Sequence, residues 1–402
     1  MRRLYACSIS LLAATLLGPA AATAQESNLA ITPAANPLAG PGWSLTPSLS
    51  YAGVYDDNVL VRGGNNDTPS DYVSVLNPAL AADYNGRRSQ FSASYDGAFL
   101  LYHDLSTLDS YDQHAWLYGR RMLSRRIALF VRNTAASVPT TELADLVAVP
   151  FVRTGSRLDD LQGGVEVTFT KRTSLAASYD HQWVDFDHSQ PGAEGLQGGH
   201  SSGVTANLRH ALNARVTFLF DYNFQHAIVV TIGQTFDVQN GGAGFEYKLS
   251  DRTFVSASGG ISHLGATETA TSRTGPAVRV SLAHHVHTAD VTLSYSRMFI
   301  PSYGFGGTMQ NEEADARLRV PLARRVYVQG GVSWRRNDPL TELEFPLRSV
   351  WLEGTLGYAM TQWARLEVFY GGTHQDTDQP GGKLDRNRFG LQIATAKPVR
   401  IR

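Results

Sequence analysis

The chain has 402 residues, and its 35 Lys and Arg nearly balance 36 Asp and Glu, giving a formal charge of −1. That balance argues against a nucleic-acid partner, which needs a basic surface. The one cysteine, Cys7, lies in the N-terminal apolar run, so a chain that loses this run can form neither disulfides nor thiolate metal sites.

Arg2 and Arg3 precede an apolar run from Leu4 to Leu17, and small residues follow, ending Ala22-Thr23-Ala24. This is the pattern of a secretory signal peptide over residues 1–24, with cleavage expected after Ala24. Cys7 sits inside the run and not at its end, which argues against a lipoprotein. Removing Arg2 and Arg3 takes the formal charge from −1 to −3. Residues 25–42, with Pro33, Pro37 and Pro41, read as a periplasmic linker. No long apolar stretch follows, so a membrane role requires a closed barrel and not a spanning helix. The 37 Gly, 17 Tyr and 17 Phe suit such a barrel.

From residue 43 the chain alternates. In "LNARVTFLFDYNFQ" (212–225), Val216, Phe218, Phe220, Tyr222 and Phe224 form one set. Arg215, Thr217, Leu219, Asp221, Asn223 and Gln225 form the other. Successive strand side chains point to opposite faces, so this is a strand with a dry and a wet side. Similar segments occur near 43–55, 72–84, 89–101, 111–122, 127–136, 159–170, 174–186, 200–212 and 215–226. They continue near 236–249, 253–264, 273–284, 288–300, 312–322, 326–336, 348–360, 364–373 and 386–396. Each matches the roughly 9–11 residues a tilted strand needs to cross a bilayer. Short links, such as "NGRR" (85–88), "KRT" (171–173) and "NA" (213–214), alternate with longer ones, such as 56–71, 137–158 and 301–311.

The expected fold is therefore all-β: a transmembrane antiparallel β-barrel of about 18 strands over 43–396, with short periplasmic turns and longer extracellular loops. Boundary errors of about two to four residues leave 16 as the alternative count. Residues 397–402 read as a short C-terminal tail. Tyr51, Tyr84, Tyr179, Trp183, Tyr295 and Tyr358 fall near strand ends, as in aromatic girdles. A soluble sandwich would put the Phe-Tyr face of 212–225 in its core, whereas a barrel turns it to lipid. The regular alternation of link lengths favours the barrel.

On the polar faces, the candidate lumen-lining residues are Arg209, Asp221, Glu246, Lys248, Arg279, Asp290, Arg317, Arg319, Glu353 and Glu367. Their signs are mixed, whereas an exporter of anionic polymer should have a basic lining. In the longest loop, 137–158, Leu143, Leu146, Val147, Val149, Phe151 and Val152 form an apolar middle between polar ends. Water is a poor solvent for such a segment, each side chain favouring burial by roughly 1.5–3 kcal/mol. It is the candidate constriction loop, and contact with a partner is the alternative.

Other motifs read more plainly. "GHSSG" (199–203) matches the serine-hydrolase pattern, but it opens a strand with no helix after it, so Ser201 reads as a strand residue. "HHVH" (284–287) lacks a third carboxylate or cysteine ligand and reads as a solvated turn. The Asp- and Asn-rich stretch 55–72 offers oxygen ligands without EF-hand spacing. Arg or Lys beside the short turns, such as Arg87, Arg125, Lys171 and Arg324, suits solubility or phospholipid head groups. No enzyme activity and no cofactor are expected.

The repeated strand, Ser/Asp/Asn-Arg turn and "x-V/L-x-x-x-x-x-Y" unit, with "YAGVYDDNV" (51–59), resembles the bacterial beta-barrel porin-2 group. That group includes barrels associated with exopolysaccharide operons. The resemblance implies an outer-membrane barrel in a Gram-negative bacterium, in contact with outer-membrane lipid and the barrel-assembly machinery. It also implies a role in surface-polysaccharide export, and it supplies no catalytic residues. "RFGLQIATAKPVRIR" departs from the aromatic terminal residue common in such barrels. From the residues, the expected function is a porin-like passive channel for small solutes or neutral polymer. The alternative is a structural or adhesive barrel whose long loops bind a surface partner.

Overall fold

The computed structural model describes residues 41–64, 68–142, 149–188, 196–229, 233–266, 271–286, 289–304, 307–340, 345–377 and 382–401. The signal-peptide and most of the linker reading, and the candidates Leu143, Leu146 and Val147, lie outside them.

The first nine strands are β1 (Gly42–Asp56), β2 (Asp71–Asn85), β3 (Ser89–Tyr102), β4 (Ser110–Met122), β5 (Ile127–Val138), β6 (Ser156–Thr168), β7 (Thr173–Phe186), β8 (Gly199–Ala211) and β9 (Val216–Val229). The next nine are β10 (Gln234–Ser250), β11 (Thr253–Leu264), β12 (Arg273–Val286), β13 (Ala289–Ser302), β14 (Gly307–Pro321), β15 (Val326–Pro339), β16 (Leu347–Ala359), β17 (Ala364–Thr377) and β18 (Leu384–Ala396). A short β19 (Val399–Ile401) follows. Each of β1–β18 pairs antiparallel with its neighbours in sequence. β18 closes the ring on β1, with Ser48↔Ala396 and Asp56↔Arg388 at the ends of the seam. The result is a closed antiparallel barrel of 18 strands plus one short extra strand. Closure leaves no wall-long free edge, the condition for a sheet to span a membrane.

Most strand boundaries fall within four residues of the sequence expectation, and two departures are larger. Residues 397–402 were expected as a tail, but Trp43↔Ile401 and Leu45↔Val399 pair, so β19 extends the closing seam after an interruption at Lys397-Pro398. Pro398 has no N–H to give a ladder, which accounts for a break there. β14 begins at Gly307, inside the expected 301–311 loop, because its hairpin with β13 stays paired to Ser302↔Gly307.

The faces follow the alternation. Phe218, Phe220 and Tyr222 are exposed while Leu219 between them is buried, so the aromatic set points outward and Asp221, Asn223 and Gln225 inward. The outer surface continues through Leu49, Tyr51, Leu352, Leu391 and Ile393, all exposed. Its extent far exceeds the few hundred Å² that a soluble monomer shows, as expected of a lipid-facing band. Aromatic pairs mark both rims. Trp43 lies 5.1 Å from Tyr84 at the short-turn rim, and Tyr55 lies 5.2 Å from Tyr72 at the long-loop rim. Among the described residues no helix is long and apolar enough to cross a membrane.

Candidate functional site

The bore is occupied at the long-loop rim. Of the loop between β5 and β6, the described residues 139–142 and 149–155 turn into the lumen and meet β16, β17 and β18. The base of the loop is tied locally. Thr141 N–H donates to Val152 O at 3.1 Å, and Val152 N–H donates to Thr141 Oγ1 at 2.8 Å. Such side-chain bonds replace the ladder that the backbone loses on leaving the sheet.

The far anchor is ionic. Glu142, 2% exposed, pairs with Arg386 of β18, itself 6% exposed. Arg388 Nη2 donates to Glu142 Oε1 at 3.0 Å, and Thr373 Oγ1 of β17 donates to the same oxygen at 2.8 Å. Arg386 also bonds Asp56, Nε to Oδ1 at 3.1 Å and Nη2 to Oδ2 at 2.5 Å. Two carboxylates and two guanidiniums thus neutralise one another out of water, which a buried ion pair requires. Burial by itself would push the Glu142 carboxyl up, but the Arg388 and Arg386 charges outweigh it and hold the carboxyl below its ordinary range.

Apolar contacts continue the anchor. Phe151 packs edge-on against Trp351 of β16, with ring centroids 5.2 Å apart, and its N–H donates to Gln375 Oε1 at 2.8 Å. Val61 and Leu384 complete this cluster. Val61 has φ 51°, a left-handed conformation that a β-branched residue rarely adopts. Its packing against the loop holds that strain in place. Arg153 reaches the first long loop, donating to Val59 O at 3.2 Å and to Tyr102 OH at 3.0 Å.

A second element enters the mouth. The end of the β13–β14 hairpin turns inward as a tongue, with Ser302, Tyr303, Thr308 and Met309 all buried. Tyr303 packs with Val138, Val149, Val184, Phe186 and Leu196, where burial pushes its phenol well above the usual range. Gly304 exchanges backbone bonds with Gln197, at 2.6 and 2.9 Å. Gly304 has φ +93°, and a Cβ there would stand 3.3 Å from Pro150 and Val149, so the tip favours glycine.

Each sequence-selected lumen residue carries inward parity. Arg209 pairs with Glu246. Lys248 Nζ lies 2.8 Å from Asp251. Arg279 lies near Asp221 and places Nη2 3.9 Å from Met298 Sδ. Asp290 pairs with His285. Glu367 bonds Arg365 at 3.1 Å and accepts from Tyr327, over whose ring Arg319 lies at 5.8 Å. Arg317, Arg319, Asp290 and Glu353 line a recess of about 260 Å³ on the inner wall of β13–β16, beside Glu313 and Arg335. Along this wall acids and bases interleave, so no band of single sign forms.

Of the loop candidates, Val149 and Phe151 are buried and Val152 is partly buried in these clusters. Asp56, Glu142, Arg386 and Arg388 were not selected from sequence. The signal for the arginines was their parity opposite Phe389 and Leu391 in "LDRNRFGLQI". Ser201 is an inner-wall residue, accepting from Gln225 Nε2 at 3.0 Å, and His200 beside it has outward parity. His284 and His285 bond Thr253 and Asp290 separately. Among the described residues, Asp71, His103 and Asp104 form the one cluster spaced for a cation. Asp71 there accepts the N–H groups of Asp104 and Leu105, so its oxygens already fasten the loop.

No protein-family model matches the chain, and no curated protein matches it in sequence. The resemblance to the beta-barrel porin-2 group therefore rests on the quoted motifs alone. Among solved structures it is similar to OccAB4 of Acinetobacter baumannii, at 10% identity and TM-score 0.49, covering 90% of this chain and 100% of that one. It is similar to OccAB3 of the same organism, at 11% identity and TM-score 0.48, covering 89% and 99%. OpdQ of Pseudomonas aeruginosa is 8% identical, with TM-score 0.46, covering 89% and 98%. Likeness at this level attaches no substrate to the present chain.

Proposed function

We propose that the protein is an outer-membrane channel for small polar solutes, with no enzyme activity, narrowed at its extracellular mouth. The long-loop rim is then extracellular and the short-turn rim periplasmic. The signal-peptide pattern of residues 1–24 and the lipid-facing outer band support this placement.

One observation carries the reading: the described ends of the β5–β6 loop enter the bore and are fixed to β18 through Glu142, Arg386 and Arg388. An 18-stranded barrel otherwise encloses a wide aqueous passage. The interleaved lining, with Arg120–Glu166 at 2.6 Å and Arg335–Glu313 at 3.0 Å, cancels its own field at short range. Neutral or mixed-charge solutes suit it better than an anionic polymer. Polymer export in general needs a clear bore, and the buried layer in the mouth speaks against it at rest.

Single-channel conductance in a planar bilayer, with solute uptake into vesicles, tests this. A small conductance with uptake of monosaccharides but not of long oligosaccharides is the expected result. A silent barrel that still binds a surface partner would favour the structural or adhesive alternative.

A further inference from the structure

The barrel wall is split along part of one seam. β12 and β13 pair from Val278↔Arg297 down to Val286↔Ala289 and no higher. β12 stays paired with β11 up to Leu264↔Arg273, and β13 stays paired with β14 up to Ser302↔Gly307. Among the described residues, 273–277 thus present an edge with no partner strand on the β13 side.

The inward turn of the tongue produces the split. Phe299 N–H donates to Ser262 Oγ of β11 at 3.2 Å, so β13 passes beneath β11 instead of beside β12. Phe299 has the parity of a lipid-facing residue, yet it is 3% exposed. It lies in an apolar cluster with Val229, Phe236, Val238, Leu264 and Leu340. Its ring also lies against the inner face of β12 behind the gap: a Cβ on Gly275, which has inward parity, would lie 2.6 Å from the ring's Cζ. Pro276, beside it, has no N–H to leave unpaired on a strand edge.

The gap opens just above Val278, Val280 and Leu282 in the outward row of β12. Behind it, on the inner wall, lies the apolar cluster around Phe299. At the level of the head groups water can satisfy the free edge, as hydrocarbon could not. At its foot is Arg297, whose guanidinium lies 3.1 Å from Glu312 and donates to Gln310 Oε1 at 3.1 Å, and whose buried Nε–H has no hydrogen-bond partner among the described residues.

We propose that this split is a lateral port for a single-chain amphiphile with an anionic head group. Its acyl chain enters the cluster between β12 and β13 by displacing the Phe299 ring, and its head group meets Arg297. The occupant is a chain and not a second copy of the protein, because the gap spans only residues 273–277 of one edge, is backed by one ring and adjoins the lipid-facing row of β12. The inference rests on the membrane placement above, but it does not require the central bore to conduct.

The test uses the full barrel in phospholipid vesicles and dodecanoic acid carrying a diazirine on its chain. After illumination, mass spectrometry should find adducts at Phe299, Leu264 and Phe236. Phe299→Ala should raise labelling of the remaining sites several-fold, and Gly275→Leu should lower it several-fold. Heat-modifiable migration checks that each variant is folded, and Gly275→Ala serves if Gly275→Leu does not fold. Adducts confined to outward residues such as Phe218 and Phe220, or labelling unchanged in both folded variants, would overturn the port. Conductance of the same preparation separates the two readings: labelling without conductance removes only the channel, and conductance without labelling removes only the port.

Discussion

Glu142 and Arg386, 244 positions apart, form a buried ion pair across the lumen of the barrel. The pair joins a loop that leaves the wall at β5 to the strand that closes the ring. Arg386 is shared with Asp56 on β1, so the same guanidinium fastens both the loop and the closing seam.

Glu142→Gln should release the loop. It leaves Arg388 without its carboxylate and Arg386 with one partner instead of two, and breaking a buried pair costs on the order of 3 kcal/mol. The barrel ladder does not depend on this pair, so heat-modifiable migration should persist while single-channel conductance rises. A folded variant with unchanged conductance would remove the loop from the constriction.

Acid should open the same latch. Glu142 has an ordinary value of 4.5; burial and the like charge of Asp56 would raise it, but Arg388 and Arg386 hold it below that value. A depressed carboxyl stabilises the folded arrangement fully above the unfolded value and loses that contribution as pH falls through the folded one. Conductance should therefore stay level at pH values above the ordinary carboxylate range and rise only as pH falls below it. Glu142→Gln should abolish that rise, and a rise surviving in the variant would assign it to another group.

Deleting 142–152 should raise conductance further and admit larger solutes, because it removes Phe151 from Trp351 along with the ion pairs. Vesicle swelling with sugars of increasing size measures the change. An unaltered size limit in a folded deletion would place the restriction in the β13–β14 tongue alone.

The two faces of β9 should respond oppositely. Phe220→Arg places a charge on the lipid face, costing roughly 2–4 kcal/mol near the bilayer midplane. Asn223→Arg, on the wet face, should alter selectivity and leave stability close to that of the parent. Urea unfolding in lipid vesicles compares them, and equal losses would contradict the assigned faces.

The sequence by itself determined the wall. Side chains alternate at every strand residue and lipid demands an apolar row, so "VTFLFDYNFQ" declares its outer face and the alternation of short and long links orders the strands. The apolar middle of 137–158 likewise showed a loop unsuited to water. Only the tertiary structure decided where that loop goes. Outside the strands no period relates Glu142 to Arg386, and their meeting depends on the curvature and closure of the whole ring. Phe299 shows the same limit within a strand. Its parity reads as lipid-facing, but parity says only which side of β13 it occupies, and the inward bend of the tongue turns that side onto the inner wall of β10 and β11.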